Sequence, residues 1–259
     1  MELTIRADVS THMRELKQWL AQTRDEPAED MNGFFAARVD TYEAHMSVWD
    51  KAYGRVAELT PGDCGPLLDL GCGTGLELDR IFARWPELAV TGVDLCAAML
   101  EKLRAKHAGR QLELRCADYL AMDLGAEQYG AVVSVESLHH FTPEQKLELY
   151  KNSCRPAARQ LSGRTTSPAA RKRRLCCGRK ARRRARANIP ADVFIHFDTP
   201  LTLEHELALL RAAGFRAARP WTASREPRSC AAANKTGNRK ALQRVKSCKP
   251  CSGCARRTP

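Results

Sequence analysis

The chain has 259 residues, 42 Lys or Arg against 30 Asp or Glu, a formal net charge of +12 and a mean hydropathy of −0.43. That length accommodates one α/β domain with appendages and a well-buried core. No stretch is apolar for long enough to cross a bilayer, and Met1 to Asp8 lacks the apolar centre of a signal peptide, so a cytoplasmic protein without a membrane span is expected.

Eleven cysteines are many for that compartment, and +12 is high for an enzyme of small molecules. Both features are local. Residues 151–188 hold fourteen Lys or Arg and no Asp or Glu, and residues 219–259 hold eleven Lys or Arg against Glu226 alone. The other 180 residues carry 17 Lys or Arg and 29 Asp or Glu, a net charge of −12. Seven cysteines (Cys154, Cys176, Cys177, Cys230, Cys248, Cys251 and Cys254) lie in the same two segments, which have no sustained period of 2 or 3.6. An acidic body therefore carries two basic segments of foreign composition.

In chain order, Met13, Leu16, Trp19 and Leu20 recur at helical spacing, with Arg24 to Pro27 as the exit. Phe34, Phe35, Val39, Tyr42, Met46 and Trp49 predict a second helix, and Tyr53 to Leu59 a third. Strands are expected near Leu67 to Leu70, Val90 to Val93, Leu112 to Leu114 and Ala131 to Val135, with helices at Leu76 to Arg84 and Ala97 to His107 between them. Strand and helix in alternation imply right-handed crossovers in a doubly wound, mostly parallel sheet. Pro143 opens a further helix, Thr202 caps a last one carrying Leu203, Leu207 and Leu210, and Gly214 stands where a left-handed helix end belongs. The divisions expected are a helical cap over 1–60, an α/β core over 61–150, an irregular basic insert over 151–188, the rest of the α/β domain over 189–218, and an irregular basic tail over 219–259.

The informative stretch is Leu-Leu-Asp-Leu-Gly-Cys-Gly-Thr-Gly at 67–75. A strand that breaks into Gly71, Gly73 and Gly75 before a helix makes a loop with bare peptide N–H groups and access to positive φ. Asp94 follows at the end of the next strand, where an acid can accept both hydroxyls of a ribose. The dinucleotide fingerprint spaces its glycines G-x-G-x-x-G and seats a pyrophosphate; here the spacing is G-x-G-x-G behind a carboxylate, Asp69, which suits a cation better.

Asp69-Leu-Gly-Cys-Gly-Thr-Gly75, Thr91-Gly-Val-Asp94-Leu, Leu114-Arg-Cys-Ala-Asp118-Tyr and Ala131-Val-Val-Ser-Val-Glu-Ser-Leu-His-His140-Phe, in that order, resemble the motifs of the class I S-adenosylmethionine-dependent methyltransferases, over about residues 30–150 and again over 189–215. The resemblance implies a Rossmann-like α/β fold behind N-terminal helices, and S-adenosylmethionine as cofactor. It assigns Asp69, Gly71, Gly73 and Gly75 to the methionine end, Asp94 with Leu95 to the ribose, Asp118 with Tyr119 to the adenine, Ser134 to the fourth strand beside the site, and Tyr42 to a place over the methionine end. Read from the residues alone, Asp69 and Asp94 serve equally as loop or helix caps, and Tyr42 as core on an apolar helical face.

Methyl transfer from a sulfonium is an in-line displacement that mainly needs positioning. Where the acceptor is a hydroxyl or an ammonium, a base is required, and Glu136, His139 and His140 at the exit of the fourth strand supply candidates; the alternative is a turn packed under the next helix. The expected partner is a small-molecule methyl acceptor. The alternative is an RNA methyltransferase or RNA-binding protein, whose basic segments would hold nucleic acid without sequence preference, since Arg171 to Arg174 and Arg179 to Arg184 carry charge without interleaved aromatics. Cys248, Cys251 and Cys254 lack a fourth ligand at usable spacing, so no metal site is assigned.

The family fold also needs a fifth strand after the helix at Pro143 and an antiparallel pair after Phe215, yet residues 160–166 and 219–227 offer little to bury, so the C-terminal strands read as degraded. Ala, Arg, Pro, Ser and Cys without periodicity, ending abruptly at Ile189, match out-of-frame translation of a GC-rich coding region better than an evolved basic arm. Reading the nucleotide sequence in its other two frames across residues 151–188 and beyond residue 218 tests this. Aliphatic strands of typical length, about 4–6 residues, are expected in one of them, and their absence from both makes the segments native arms.

Overall fold

The structure, a computed structural model, describes residues 9–22, 28–125, 128–153, 159–163, 170–190, 193–198, 201–215, 217–221 and 229–233. Four helices come first: α1 (Val9–Gln22), α2 (Met31–Ala36), α3 (Val39–Met46) and α4 (Asp50–Leu59). The second helix expected from the sequence is broken. Asp30 caps α2 through Gly33 N, the amide of Ala37 closes on the carbonyls of Gly33 and Phe35, and Arg38 then leaves helical geometry with ψ near 5°. Arg38 is held outside by Glu29, at 2.9 and 3.0 Å, and by the Phe34 carbonyl.

The α/β part alternates β1 (Leu67–Leu70), α5 (Leu76–Arg84), β2 (Val90–Asp94), α6 (Ala97–Lys106), β3 (Leu112–Cys116), β4 (Ala131–Val135), α7 (Pro143–Ser153), β5 (Arg159–Gly163), α8 (Ala170–Arg186), α9 (Leu203–Ala212), β6 (Ala217–Trp221) and β7 (Ser229–Ala233). The sheet order is β3-β2-β1-β4-β5-β7-β6. Its first five strands run parallel, and β7 is antiparallel to both β5 and β6. This is the doubly wound sheet that the alternation predicted.

The central strands are buried on both faces, as parallel sheets require. Successive residues point to opposite sides: Leu67 joins Val56, Leu78, Ile81 and Phe82 in the layer toward α4 and α5, whereas Leu68 and Leu70 join Leu149, Tyr150, Leu207 and Leu210 in the layer toward α7 and α9. The charged pair Lys146 and Glu206 lies inside the second layer, both side chains fully buried; Lys146 donates to Glu206 Oε1, and the Tyr150 hydroxyl donates to Oε2 at 3.0 Å.

Two expectations are corrected. The segments thought to lack strands contribute backbone to β5, β6 and β7, so β4 has a neighbour on each side. Strand propensity mostly reports packing on a pleated surface, and a position between two ladders can override it. Pro220 sits in β6, the outermost strand, where the missing N–H is tolerated. Nor is the basic insert irregular throughout: α8 is a seventeen-residue helix, built mostly from Ala, Arg, Lys and Leu, strong helix formers that outweigh Cys176, Cys177 and Gly178 without any apolar period.

Lys146 and Glu206 clamp α7 to α9 behind the sheet, so the fold should be sensitive to losing one charge alone. Glu206→Ala is expected to lower unfolding free energy by about 3–5 kcal/mol, because it leaves the lysine buried without its counter-ion. Lys146→Leu combined with Glu206→Leu should recover most of that loss. Urea titration followed by circular dichroism measures both; a loss below about 1 kcal/mol in the single variant would show the pair to be dispensable.

Candidate functional site

At the carboxyl ends of β1, β2 and β4 the chain opens a cleft, the place where doubly wound sheets bind ligands. Its floor is the glycine loop. Gly71, at φ +74°, would press a Cβ within 2.1 Å of Ser137 Oγ, and Gly75, at φ +76°, would drive one to 2.3 Å from Leu103 while capping α5. Both positions need glycine for backbone conformation and for close approach.

The loop is held from β2. Gly71 N and Cys72 N donate to the Val93 carbonyl at 2.8 and 3.2 Å. Asp94 accepts from Gly73 N through Oδ2 and from Cys96 N through Oδ1, each at 2.8 Å. A carboxylate oxygen has two lone-pair sites, so each retains one for a ligand hydroxyl. From α6, Lys106 donates to the Thr74 carbonyl at 3.0 Å and pairs with Glu43 and Asp79, fixing the loop's far side.

Of the residues assigned from the sequence, Tyr42, Gly71, Gly73, Asp94, Leu95, Asp118, Tyr119, Glu136 and His140 line the cleft. Asp69, Gly75, Ser134 and His139 do not. Asp69 lies fully buried beneath the loop, Ser134 donates to the Leu70 carbonyl at 2.8 Å, and His139 sits behind the wall. Asp118 turns its Oδ1 to Leu120 N at 2.8 Å, and the Tyr119 hydroxyl meets Ser137 Oγ at 2.6 Å. Glu136 adopts φ +50°, uncommon for a residue with a side chain and a mark of functional sites.

Charge is concentrated under the loop. Burial, and then the neighbouring acids, hold Asp69 and Glu77 well above the usual carboxylate range, and burial also raises Asp94 against the pull of its backbone donors. Among the described residues, neither oxygen of Asp69 nor Oε1 of Glu77 has a hydrogen-bond partner. Glu77 escaped the sequence reading because an acid in the first turn of a helix is ordinary.

The roof comes from chain far away. Met31 N donates to the Phe194 carbonyl at 2.8 Å and His196 N to the Glu29 carbonyl at 3.0 Å, so residues 193–198 lie across the front of α2. Phe34 stacks on His196 with ring centroids 3.5 Å apart, and Met31, Phe35, Phe141 and Phe194 make an apolar lip. This segment also delivers Asp198, absent from the sequence assignments, whose Oδ1 stands 3.3 Å from His139 Nε2 and 3.3 Å from His140 Nδ1. On its other nitrogen His139 faces Glu136 Oε2 at 3.6 Å. Burial depresses His139, but the charges of Asp198 and Glu136 outweigh it and the net shift is upward; burial and then His139 push His140 well down, and burial takes His196 to about 4. Cys248, Cys251 and Cys254 lie outside the described residues.

The raised carboxyl groups carry a pH signature. Folding increases their affinity for protons, so their contribution to stability is complete below the ordinary carboxylate range, near pH 4, and is lost as pH rises through the higher folded values. Asp69→Asn removes one such group. The melting temperature of the variant minus that of the unliganded wild type is expected to grow as pH rises over about 5 to 8. Parallel curves in a thermal-shift series would mean that Asp69 does not hold this charge.

The methyltransferase domain family matches residues 67–158. The chain is 26% identical over 110 residues to malonyl-[acyl-carrier protein] O-methyltransferase of Acetivibrio thermocellus, covering 41% of this chain and 38% of that one. It is 45% identical over 49 residues to trans-aconitate 2-methyltransferase of an Enterobacter species, covering 19% of each. These matches span well under half of the relatives' lengths. Human N-acetylserotonin methyltransferase, solved in complex with S-adenosylmethionine, superposes with a TM-score of 0.58 at 16% identity, over 88% of this chain and 69% of that one, a likeness of fold. Residues 67–158 thus match a methyltransferase domain, and the sheet order and the glycine loop closed by Asp94 agree with that match.

Proposed function

We propose that the cleft binds S-adenosylmethionine and that the protein transfers its methyl group to a small-molecule acceptor. The observation that carries this reading is the charge of the cleft wall: Asp94, Asp118 and Glu136 line it, and among the described residues no Lys or Arg does. A pyrophosphate is repelled by such a wall, whereas a sulfonium and an ammonium are attracted. Asp94 serves the ribose hydroxyls, Asp118 with Tyr119 the adenine, and the glycine loop with Tyr42 the methionine end. The buried charge of Asp69 and Glu77 beneath the loop adds attraction for the ammonium.

Transfer moves the methyl group from sulfonium sulfur to the acceptor atom and leaves a neutral thioether. Alignment of donor and acceptor supplies about 7–11 kcal/mol of the barrier. The apolar lip of Met31, Phe35, Phe141 and Phe194 excludes water from that path and suits a compact acceptor. Glu136 is the side chain assigned to take the acceptor's proton, since it faces the cleft at the expected position of the sulfonium and its strained backbone holds it there. His140 completes that wall, with His139 behind it.

Two of the curated relatives are named for methylation of malonyl-acyl-carrier protein and of trans-aconitate, and a small carboxylic or hydroxylated acceptor is the class proposed for this chain. Titration calorimetry with S-adenosylmethionine tests the cofactor reading. The wild type is expected to bind, and Asp94→Ala to lose about 1–3 kcal/mol through its hydrogen bonds to ribose. Folded protein that fails to bind, or a variant of unchanged affinity, would overturn it, and NADH binding in its place would restore the dinucleotide alternative.

A further inference from the structure

We propose that His139, His140 and Asp198 form a site for a divalent first-row transition-metal ion beside the cleft. One ligand atom from each of these residues lies within 4.8 Å of the other two. The separations that matter are shorter: Asp198 Oδ1 is 3.3 Å from His139 Nε2 and 3.3 Å from His140 Nδ1. Metal–ligand bonds of about 2.0–2.1 Å at tetrahedral angles place neighbouring donor atoms about 3.3–3.4 Å apart. Two imidazoles with one carboxylate are a donor set that zinc and ferrous iron both accept, and they leave positions open for a further ligand.

Two observations separate this arrangement from a simple histidine–aspartate contact. His139 presents Nε2 to Asp198 while its Nδ1 faces Glu136 Oε2 at 3.6 Å; a carboxylate behind a ligating imidazole is the usual way of orienting the ring and sharpening its basicity. His140 Nδ1 is buried and makes no hydrogen bond among the described residues, although Asp198 stands 3.3 Å away. A ring nitrogen taken out of water and not hydrogen-bonded is a group that a metal ion would satisfy, with the imidazole in the tautomer that leaves Nδ1 unprotonated. The site also has an entrance, since the Asp198 side chain is 60% exposed while both imidazoles are buried.

Sequence reading could not reach this site, because 58 residues separate His140 from Asp198 and the spacing matches no short chelating motif. Residues 193–198 bring the carboxylate in when they lie across α2, so the site exists only with the roof in place. His140 also lines the cleft, which puts the ion's open positions on the acceptor's side of the transfer site. Binding of the ion goes beyond the methyl-transfer reading and does not depend on it.

The test uses the full chain and cobalt(II), whose visible spectrum reports its ligands. The wild type is expected to take up one equivalent with weak d–d absorption and without the strong near-ultraviolet band of a thiolate ligand, which distinguishes this site from the cysteines. His139→Ala and Asp198→Ala should each abolish that uptake, and Glu136→Gln should weaken it about 10–100-fold. Because Asp198 is exposed, its variant should keep the wild-type circular dichroism. Absence of uptake by the wild type, a thiolate band, or uptake unchanged in Asp198→Ala overturns the proposal. Calorimetry with S-adenosylmethionine on the same preparations reads the cofactor separately: a protein that binds it and takes up no cobalt refutes the metal site alone.

Discussion

The tie between Asp94 and the glycine loop is the interaction on which the rest of the site depends. One carboxylate at the end of β2 receives the amide of Gly73 from the loop after β1 and the amide of Cys96 at the start of α6. It thereby fixes the tip of one crossover against the beginning of the next. Charge-assisted bonds of this kind are roughly twice as strong as neutral ones, and here they act where the sheet opens. With the loop set, the positive φ of Gly71 and Gly75 follows from the turn it must make, and the cleft floor becomes bare backbone.

That arrangement concentrates negative charge. Burial raises the proton affinity of Asp69, Glu77 and Asp94, and the charge of Asp94 adds to that of the other two. Selection for stability alone would not retain such a cluster, because each ionised member costs desolvation without a hydrogen-bonded counter-charge. A cationic ligand is the natural complement. Behind the sheet a buried acid has its counter-charge: Glu206 accepts from Lys146 and from the Tyr150 hydroxyl, which ties α7 to α9.

The front of the molecule is assembled from two segments far apart in the chain. Residues 28–38 and 193–198 exchange backbone hydrogen bonds, stack Phe34 on His196, and carry Asp198 to the two histidines after β4. Among the described residues two backbone hydrogen bonds join these segments, Met31 N to the Phe194 carbonyl and His196 N to the Glu29 carbonyl. The lip of the cleft and the histidine–carboxylate cluster both depend on that same contact.

The sequence by itself determined the centre of this protein. Leu67 to Leu70 and Ala131 to Val135 were legible to the residue, and so was α5, because short aliphatic runs buried on both faces, bounded by Gly71 and Gly130, leave no other assignment. Cleft residues near those strand ends, from Gly71 to His140, followed from local order. Tertiary structure alone decided three things. The break between α2 and α3 came from an Asp30 cap and an Arg38 anchored outside the helix, which a continuous apolar pattern conceals. Strands β5, β6 and β7 came from their place between or beside existing ladders, since backbone pairing in a sheet needs neighbours more than it needs apolar side chains. The meeting of Asp198 with His139 and His140 came from a fold-back across α2. Local pattern encodes what a residue does to its own turn or strand; contacts between distant segments depend on how the whole chain closes, and no window of sequence contains them.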